Sequence, residues 1–161
     1  MTLHSQNGWV AGPPELLGIK NYQVEGANRH FSCNPLVAPI LIGFAAWFHK
    51  YIQPIDTGVY DDWGYARPVP IPGSNVISNH GSGTAIDINA TQHQWRSARS
   101  GFTRLQEIRI RWKCRALGIR WGGDYHSSKD WMHFEIVETP AQVKARIIRM
   151  KLPIPKEGTI K

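Results

Sequence analysis

The chain has 161 residues, of which 42% are hydrophobic and 19% are charged, a length and composition that fit one folded domain and exclude a disordered chain. Its longest apolar run, residues 36–48, contains Pro39 and Gly43 and is too short to cross a membrane. The net charge of +7 favours a polyanionic partner, and on charge alone nucleic acid, an anionic membrane or the bacterial cell wall would each fit.

The sequence lacks the signals of secretion, membrane insertion and nucleic-acid binding. Residues 1–7 show no basic stretch followed by an apolar run, so we expect synthesis in a cytoplasm without a signal peptide. No helix-turn-helix, RNP or finger motif accompanies the positive charge, so nucleic acid is not the expected partner. Cys33 and Cys114 stand outside any CxxC pattern and are expected to be reduced thiols. We expect a monomer.

The first half of the chain predicts one long helix and two short strands. Residues 1–20 are rich in glycine and proline, which is typical of an irregular segment. In residues 36–52 apolar side chains recur every four positions, which predicts a helix with one buried stripe. Residues 64–69 are expected to form a short strand. Residues 84–89 alternate between polar and apolar side chains, which predicts a second strand with Asp87 on its polar face.

Apolar residues at helical spacing mark a second helix, which ends at Leu117 because Gly118 supplies the left-handed conformation of a C-cap. These apolar residues are Phe102, Leu105, Ile108 and Trp112. The same helix carries basic residues that are expected either to attract anionic wall polymers or to keep the protein soluble. The basic residues are Arg104, Arg109, Arg111, Lys113 and Arg115.

Two further strands are predicted after this helix. One begins at Ile119 and is broken by the glycines of residues 122–124. The other covers residues 131–137, in which His133 and Glu135 share one face and the apolar residues share the other. His133 is therefore expected on a polar face.

A capping box formed by Thr139 and Gln142, with proline between them at the first helical position, opens a third helix that runs to Leu152. Residues 153–161 are expected to be a frayed tail. Strands and helices mix without a regular βαβ alternation, so we expect a single α+β domain over residues 1–161, with a mostly antiparallel sheet and helices packed on it.

One run of the sequence concentrates residues that bind metals. Residues 78–87 place His80 in a glycine-rich loop and Asp87 on the strand that follows, so both side chains can reach one point. Catalytic zinc usually takes three protein ligands and leaves a fourth position for water, and His133 is the best candidate for the third ligand. We therefore predict one Zn²⁺ ion held by these three side chains.

Hydrolysis of a peptide bond also needs a base and a positive group. Asp130 lies three positions before His133, close enough to share the site and to take the proton of the attacking water. Arg67 precedes the loop of His80 and is placed to stabilise the oxyanion of the tetrahedral intermediate.

Four other residues are weaker candidates for the site. Ser78, His126 and Trp131 are candidates for substrate contact, although His126 could have no role and Trp131 could belong to the core. Glu135 shares the face of His133 and either steadies that histidine or faces solvent.

Two separated motifs resemble the signature of peptidase family M15. They are Ser78-x-His80-x-x-Gly83-x-Ala85-x-Asp87 and Asp130-x-x-His133. Two further runs resemble the endolysin-like branch of that family, so the similarity covers roughly residues 39–137. These runs are Trp63-Gly64-Tyr65-Ala66-Arg67-Pro68 and Trp121-Gly122-Gly123-Asp124-Tyr125.

The resemblance implies a Hedgehog-like α+β fold and a zinc ion on His80, Asp87 and His133. It also implies that Asp130 is the catalytic base and that Arg67 clamps the substrate carbonyl. Other members of the family carry glutamate where this chain has Asp130. Aspartate is shorter by one methylene and must lie nearer the water, a choice that the endolysin-like branch shares.

The family includes D-alanyl-D-alanine carboxypeptidases and phage endolysins. We expect a zinc-dependent endopeptidase of bacterial peptidoglycan stem peptides, of the L-alanyl-D-glutamate phage endolysin type, that acts on the wall after release from the cytoplasm. A D-alanyl-D-alanine carboxypeptidase is the nearest alternative. A zinc-containing wall-binding module without catalysis is the alternative from another class, and the presence of Asp130 argues against it.

Overall fold

The computed structural model describes residues 2–158, in which helices and strands mix irregularly along the chain. The helices are α1 (Pro14–Leu17), α2 (Ala38–Tyr51), α3 (Arg104–Leu117) and α4 (Pro140–Met150). The strands are β1 (Leu3–His4), β2 (Val10–Ala11), β3 (Lys20–Gln23), β4 (His30–Cys33), β5 (Ala85–Asp87), β6 (Ile119–Trp121) and β7 (His133–Ile136). Two short 3₁₀ helices cover Asn79–Ser82 and Gly122–Asp124.

The strands form three antiparallel sheets. β1 pairs with β2, β3 pairs with β4, and the central sheet has the order β5-β7-β6. In the central sheet β7 lies between its two neighbours and sets Asp87 of β5 directly opposite His133. The predicted α+β class, with antiparallel sheets and packed helices, is confirmed.

The core lies between α2 and one face of the central sheet. The stripe predicted for this helix is buried, since Ile40, Phe44 and Phe48 are each 0% exposed. The ring of Phe134 in β7 lies 4.6 Å from that of Phe44 and 5.9 Å from that of Phe48. Because neighbouring side chains alternate along a strand, His133 lies on the opposite face of the sheet from α2.

Three of the four apolar residues that mark α3 in the sequence do not form its buried side, whereas Phe102 precedes the helix and packs against the core. Leu105, Ile108 and Trp112 are 57%, 53% and 66% exposed. The side that packs into the core is formed by Ile110, Cys114 and Leu117. The predicted end of the helix at Leu117 is confirmed, but Leu105, Ile108 and Trp112 point outward.

The capping boxes at the starts of two helices form as the sequence predicts. Thr103 accepts a hydrogen bond from the backbone N–H of Gln106 at the start of α3, and Thr139 accepts one from Gln142 at the start of α4. Both glutamines return a bond to the cap backbone. Such caps satisfy N–H groups that a helix leaves unpaired.

Two loop segments differ from the prediction. Residues 64–69 form no strand, and only Trp63 pairs with Asp87, through two backbone hydrogen bonds of 2.7 and 3.0 Å. The N-terminal segment is more ordered than its composition predicts, because it forms the β1–β2 hairpin and the short helix α1. Trp9 in this segment is 6% exposed, and its indole N–H donates to the carbonyl of Glu138 at 2.9 Å.

Part of the predicted frayed tail, residues 156–158, is held by backbone hydrogen bonds. The backbone N–H of Gln23 donates to the carbonyl of Lys156 at 3.0 Å, and the N–H of Gly158 donates to the carbonyl of Asn21 at 2.8 Å. This part of the tail therefore pairs with β3 through one isolated antiparallel bridge, between Glu157 and Tyr22. Residues 159–161 of the predicted tail lie outside the described residues.

Two further features concern the whole domain. Cys33 and Cys114 are buried free cysteines, as predicted, and burial raises the pKa of both thiols. Within residues 2–158 we find no helix with the length and apolar character needed to cross a membrane.

Candidate metal centre

The central sheet and one tight turn bring the three predicted ligands together. Asp87 and His133 stand opposite each other on β5 and β7. His80 lies in a 3₁₀ turn that ends at Gly83 with φ of 68°, a conformation that glycine adopts without strain. A Cβ atom on Gly83 would lie 2.8 Å from the backbone nitrogen of Asn34, so the turn also packs too closely for a larger residue.

The ligand atoms of the three side chains form a small triangle. Nε2 of His80 lies 3.1 Å from Nδ1 of His133, and Oδ1 of Asp87 lies 3.2 Å from the first and 2.9 Å from the second. Ligands about 2.0–2.1 Å from a tetrahedral zinc ion are roughly 3.3 Å apart. The observed separations match this spacing to within a few tenths of an ångström, so two nitrogens and one oxygen can contact a common ion.

Hydrogen bonds on the outer side of each imidazole fix which nitrogen faces the centre. Nδ1 of His80 donates to the carbonyl of Gly64 at 2.6 Å, which leaves Nε2 as the nitrogen with a lone pair. Nε2 of His133 donates to the carboxylate of Glu135 at 3.2 Å, so in the neutral ring Nδ1 is the nitrogen with the lone pair. Nε2 of His80 and Nδ1 of His133 therefore face the triangle, and each can offer its lone pair to a metal ion when the ring is neutral.

Glu135 is itself held by a buried network. It is 2% exposed, and its carboxylate accepts hydrogen bonds from Nδ2 of Asn79 at 2.5 Å and from the hydroxyl of Tyr125 at 2.7 Å. Of the two alternatives for this residue, the structure favours contact with His133 over solvent exposure. Asn79 and Tyr125 were not predicted, although Asn79 directly precedes the ligand His80 in the sequence.

Opposite charges in this cluster shift the pKa values of its members. Burial raises the pKa of the Asp87 carboxyl, but the nearby imidazoles of His80 and His133 outweigh it and hold that pKa far below its usual range. Burial lowers the pKa of His133, but its hydrogen bonds with Asp87 and Glu135 outweigh burial and hold the pKa well above the usual value. The cluster therefore stabilises positive charge at its centre.

Asp130 lies beside the ligands without joining the triangle. Its backbone carbonyl accepts a hydrogen bond from the N–H of His133 at 3.3 Å, and its own N–H donates to the carbonyl of Gly122 at 3.1 Å. Burial is the main cause that raises the pKa of its carboxyl to about 6. Oδ1 of Asp130 is buried and has no hydrogen-bond partner among the described residues. A buried acceptor of this kind fits a water molecule or an ion at the centre.

A groove of about 300 Å³ opens beside His80 and Asp87 and contains Arg67 and Ser78 in its walls. Arg67 is exposed at this groove. The hydroxyl of Ser78 accepts a hydrogen bond from the backbone N–H of His80 at 3.3 Å, so this serine also stabilises the 3₁₀ turn that contains His80. Trp63 lines the same groove and is 52% exposed, although most aromatic residues in a domain of this size belong to the core.

The other two candidates for substrate contact lie in different settings. Trp131 is 8% exposed and packs against Trp121, and its indole N–H donates to the carbonyl of Ser97 at 2.8 Å. These contacts favour the core alternative for Trp131. His126 is exposed, in the segment between the Gly122–Asp124 turn and Asp130.

The donor set and its surroundings fit a zinc ion. Two imidazoles and one carboxylate are the ligand types that catalytic zinc takes, and hydrogen bonds fix the outer nitrogen of both imidazoles. The unpartnered oxygen of Asp130 lies on the same side chain that was predicted as the base. Residues 2–158 thus contain three side chains that could hold a metal ion, with an adjacent carboxylate.

Comparison with known proteins gives one match. A family model described as D-alanyl-D-alanine carboxypeptidase matches residues 72–136. No curated protein and no solved structure matches the chain. The matched segment contains His80, Asp87, Asp130 and His133, whereas Arg67 and Trp63 of the groove precede it.

Proposed function

We propose, from the premise that residues 72–136 belong to peptidase family M15, that this protein is a zinc-dependent endopeptidase of bacterial peptidoglycan. The family match supports a peptidase that acts on peptidoglycan. The finer proposal is that the protein cuts within the stem peptide, at the bond between L-alanine and D-glutamate, as a phage endolysin. It would be made in the cytoplasm and act on the wall after release.

The convergence of His80, Asp87 and His133 around one point is the observation that supports the proposal most strongly. Their ligand atoms come from a turn and two paired strands, and they lie 2.9–3.2 Å apart. Structural zinc sites usually have four protein ligands, whereas catalytic sites keep one position open. Three protein ligands beside the unpartnered carboxylate of Asp130 therefore favour a catalytic site over a structural one.

In the proposed reaction a zinc ion supplies the Lewis acid that activates water and polarises the scissile carbonyl. Asp130 takes the proton of the attacking water and passes it to the leaving amine. Burial keeps its pKa near 6, so it is mostly ionised at neutral pH and still basic enough to accept that proton. Arg67, exposed at the groove, is placed to contact the carbonyl oxygen as negative charge develops there.

The groove supports cleavage inside a chain. Its walls include Trp63, Arg67 and Val69, which are exposed to solvent, so an extended peptide can lie across the ligands without entering a closed cavity. The positive charge of the chain, +7, fits the anionic bacterial wall that carries this substrate.

A carboxypeptidase that removes terminal D-alanine is the second candidate, and the description of the matching family favours it. Purified muropeptides with a pentapeptide stem separate the two activities. Incubation with the zinc-loaded protein is followed by mass spectrometry, with His80→Ala as the metal-free control. Endopeptidase activity releases the stem from L-alanine or splits it internally. Loss of a single D-alanine from an otherwise intact stem would refute the endopeptidase, and intact muropeptides would favour a binding module.

A further inference from the structure

The outward side of α3 carries an apolar stripe that no other part of the described chain covers. Leu105, Ile108 and Trp112 are 57%, 53% and 66% exposed. At 100° per residue these three positions fall within about 60° of one another around the helix axis. The core-facing residues Ile110 and Cys114 lie on the opposite side. α3 is therefore apolar along two opposite lines, and only one of them is buried.

Basic side chains border this stripe on both sides. Helical spacing places Arg109 and Lys113 along one edge, and Arg104 and Arg115 along the other. Within residues 2–158 these four side chains form no hydrogen bond or ion pair, and Lys113 lies over the ring of Trp47 at 5.6 Å. Arg111 is different, because it is bound to Asp124 at 2.7 Å. The face thus presents three exposed cations, Arg104, Arg109 and Arg115, around an apolar centre, with the half-buried Lys113 at its edge.

This face lies away from the candidate metal centre. α3 packs with α2 and with β6 on the side of the central sheet that Phe134 faces. The side chain of the candidate ligand His133 lies on the opposite face of β7. A surface that bound the outer side of α3 would therefore leave the groove beside His80 and Asp87 free.

We propose that the outer face of α3 binds the surface of an anionic lipid bilayer, with the helix lying parallel to it. An apolar line bordered by cations is the pattern of helices at a membrane interface, where tryptophan and leucine enter the acyl boundary and arginine contacts lipid phosphates. Charge complementarity selects anionic over neutral lipid. A soluble polyanion would need only the cations and would leave Leu105, Ile108 and Trp112 in water. The proposal is independent of the peptidase function.

The test is sedimentation of the full-length protein with vesicles of equal parts phosphatidylglycerol and phosphatidylcholine, and with phosphatidylcholine alone. We expect binding to the anionic vesicles only. Trp112→Ser should lower the partition coefficient about tenfold, because a large apolar side chain no longer enters the boundary. The double variant Arg109→Gln, Arg115→Gln should lower it about 25-fold, at about fivefold for each cation.

The matched controls carry the same types of substitution at exposed positions outside the outer face of α3. Leu16→Ser removes a 67% exposed leucine from α1, and the double variant Arg99→Gln, Lys144→Gln removes the same charge from other exposed positions. We expect both controls to bind within about threefold of the unmodified protein. Chelation of zinc should leave vesicle binding unchanged, which separates this result from any failure of the peptidase proposal.

Three results would overturn the proposal. The first is absence of binding to anionic vesicles. The second is normal vesicle binding by Trp112→Ser together with full competition by soluble polyphosphate, which would make the face a purely electrostatic site for polymers. The third is a dimer in gel filtration that Trp112→Ser converts to a monomer without any vesicle binding, which would assign the stripe to a second copy of the chain.

Discussion

His80 and His133 each have two ring nitrogens, and a contact on the far side of each ring decides which one can bind a metal. The carbonyl of Gly64 does this for His80, at 2.6 Å. The carboxylate of Glu135 does it for His133, at 3.2 Å. The carbonyl of Gly64 belongs to the backbone and cannot be changed by substitution. The carboxylate of Glu135 can be replaced by an amide of the same shape. The contact of Glu135 can therefore be tested by substitution.

We predict that Glu135→Gln lowers the affinity for zinc about 10–100-fold, because the amide no longer supplies a charged acceptor for Nε2 of His133. Competition with a zinc chelator measures this change. Nitrogen-15 shifts of the imidazole should show a mixture of His133 tautomers in the variant. Glu138→Gln, which breaks a half-buried ion pair with Arg146 away from the candidate ligands, is the matched control and should leave zinc affinity unchanged. Equal affinities of the two variants would contradict the positioning role of Glu135.

Substitution of Asp130 and substitution of the candidate ligands are predicted to have different effects on zinc content. Asp130→Asn should keep zinc but lose about 10²–10⁴-fold in turnover, because the amide cannot take a proton from water. His80→Ala and His133→Ala should lose zinc as well as activity. Metal content by atomic emission and the rate of muropeptide cleavage separate the two classes. Equal zinc loss in all three variants would mean that Asp130 is a ligand rather than a base.

The three candidate ligands and Glu135 could be proposed from the sequence, but the contacts of Gly64, Asn79 and Tyr125 could not. His80 and Asp87 are close in the chain, and the strand periodicity of residues 131–137 places His133 on a polar face. Tyr125 and Gly64 contact groups that are 10 and 16 residues away in the chain, across irregular loop segments. Such contacts leave no periodic pattern, so spacing alone does not predict them.

The helix α3 shows why an element can be predicted while its orientation is missed. Leu105, Ile108 and Trp112 have helical spacing, and so do Ile110, Cys114 and Leu117 on the other side. The first set contains larger side chains, so composition favours it as the buried stripe. Tertiary packing decides otherwise, because α3 meets α2 and β6 through the second set. The strand predicted at residues 64–69 does not form, because Tyr65 and Ala66 make single backbone hydrogen bonds to two different segments, at Ser32 and His80.

The turn that carries His80 can be tested as an element, because it depends on Gly83. Gly83→Ala should lower the free energy of unfolding by about 2–3 kcal/mol, since φ of 68° is strained for alanine and the new Cβ meets Asn34. Gly73 also has positive φ, 79°, but its Cβ direction is open, so Gly73→Ala should lose only about 1 kcal/mol. Urea unfolding of both variants measures the difference.

The zinc affinity of the two glycine variants adds a second readout. Gly83→Ala should weaken zinc binding because His80 moves with its turn, while Gly73→Ala should leave it unchanged. Equal stability losses in the two variants, with normal zinc affinity in both, would show that close packing at Gly83 does not position the ligand.

The whole domain should stay folded without its metal. Its core of α2, α3 and the central sheet is assembled from apolar side chains, and the ligands lie on the other side of that sheet. We predict that chelation leaves the far-ultraviolet circular dichroism spectrum unchanged. Zinc at a hundred times its dissociation constant should stabilise the folded state by about 2.7 kcal/mol, seen as a higher Tm in calorimetry. Loss of the spectrum on chelation would show that zinc holds the fold together.

The burial of both native thiols makes this chain suited to spectroscopic labelling. Cys33 and Cys114 are enclosed by the core, and burial disfavours the reactive thiolate form of each. A maleimide dye or spin label should therefore react with a single cysteine placed at an exposed position, with no need to mutate the native pair. Attached at residue 63, such a probe would follow the arrival of a peptide in the groove.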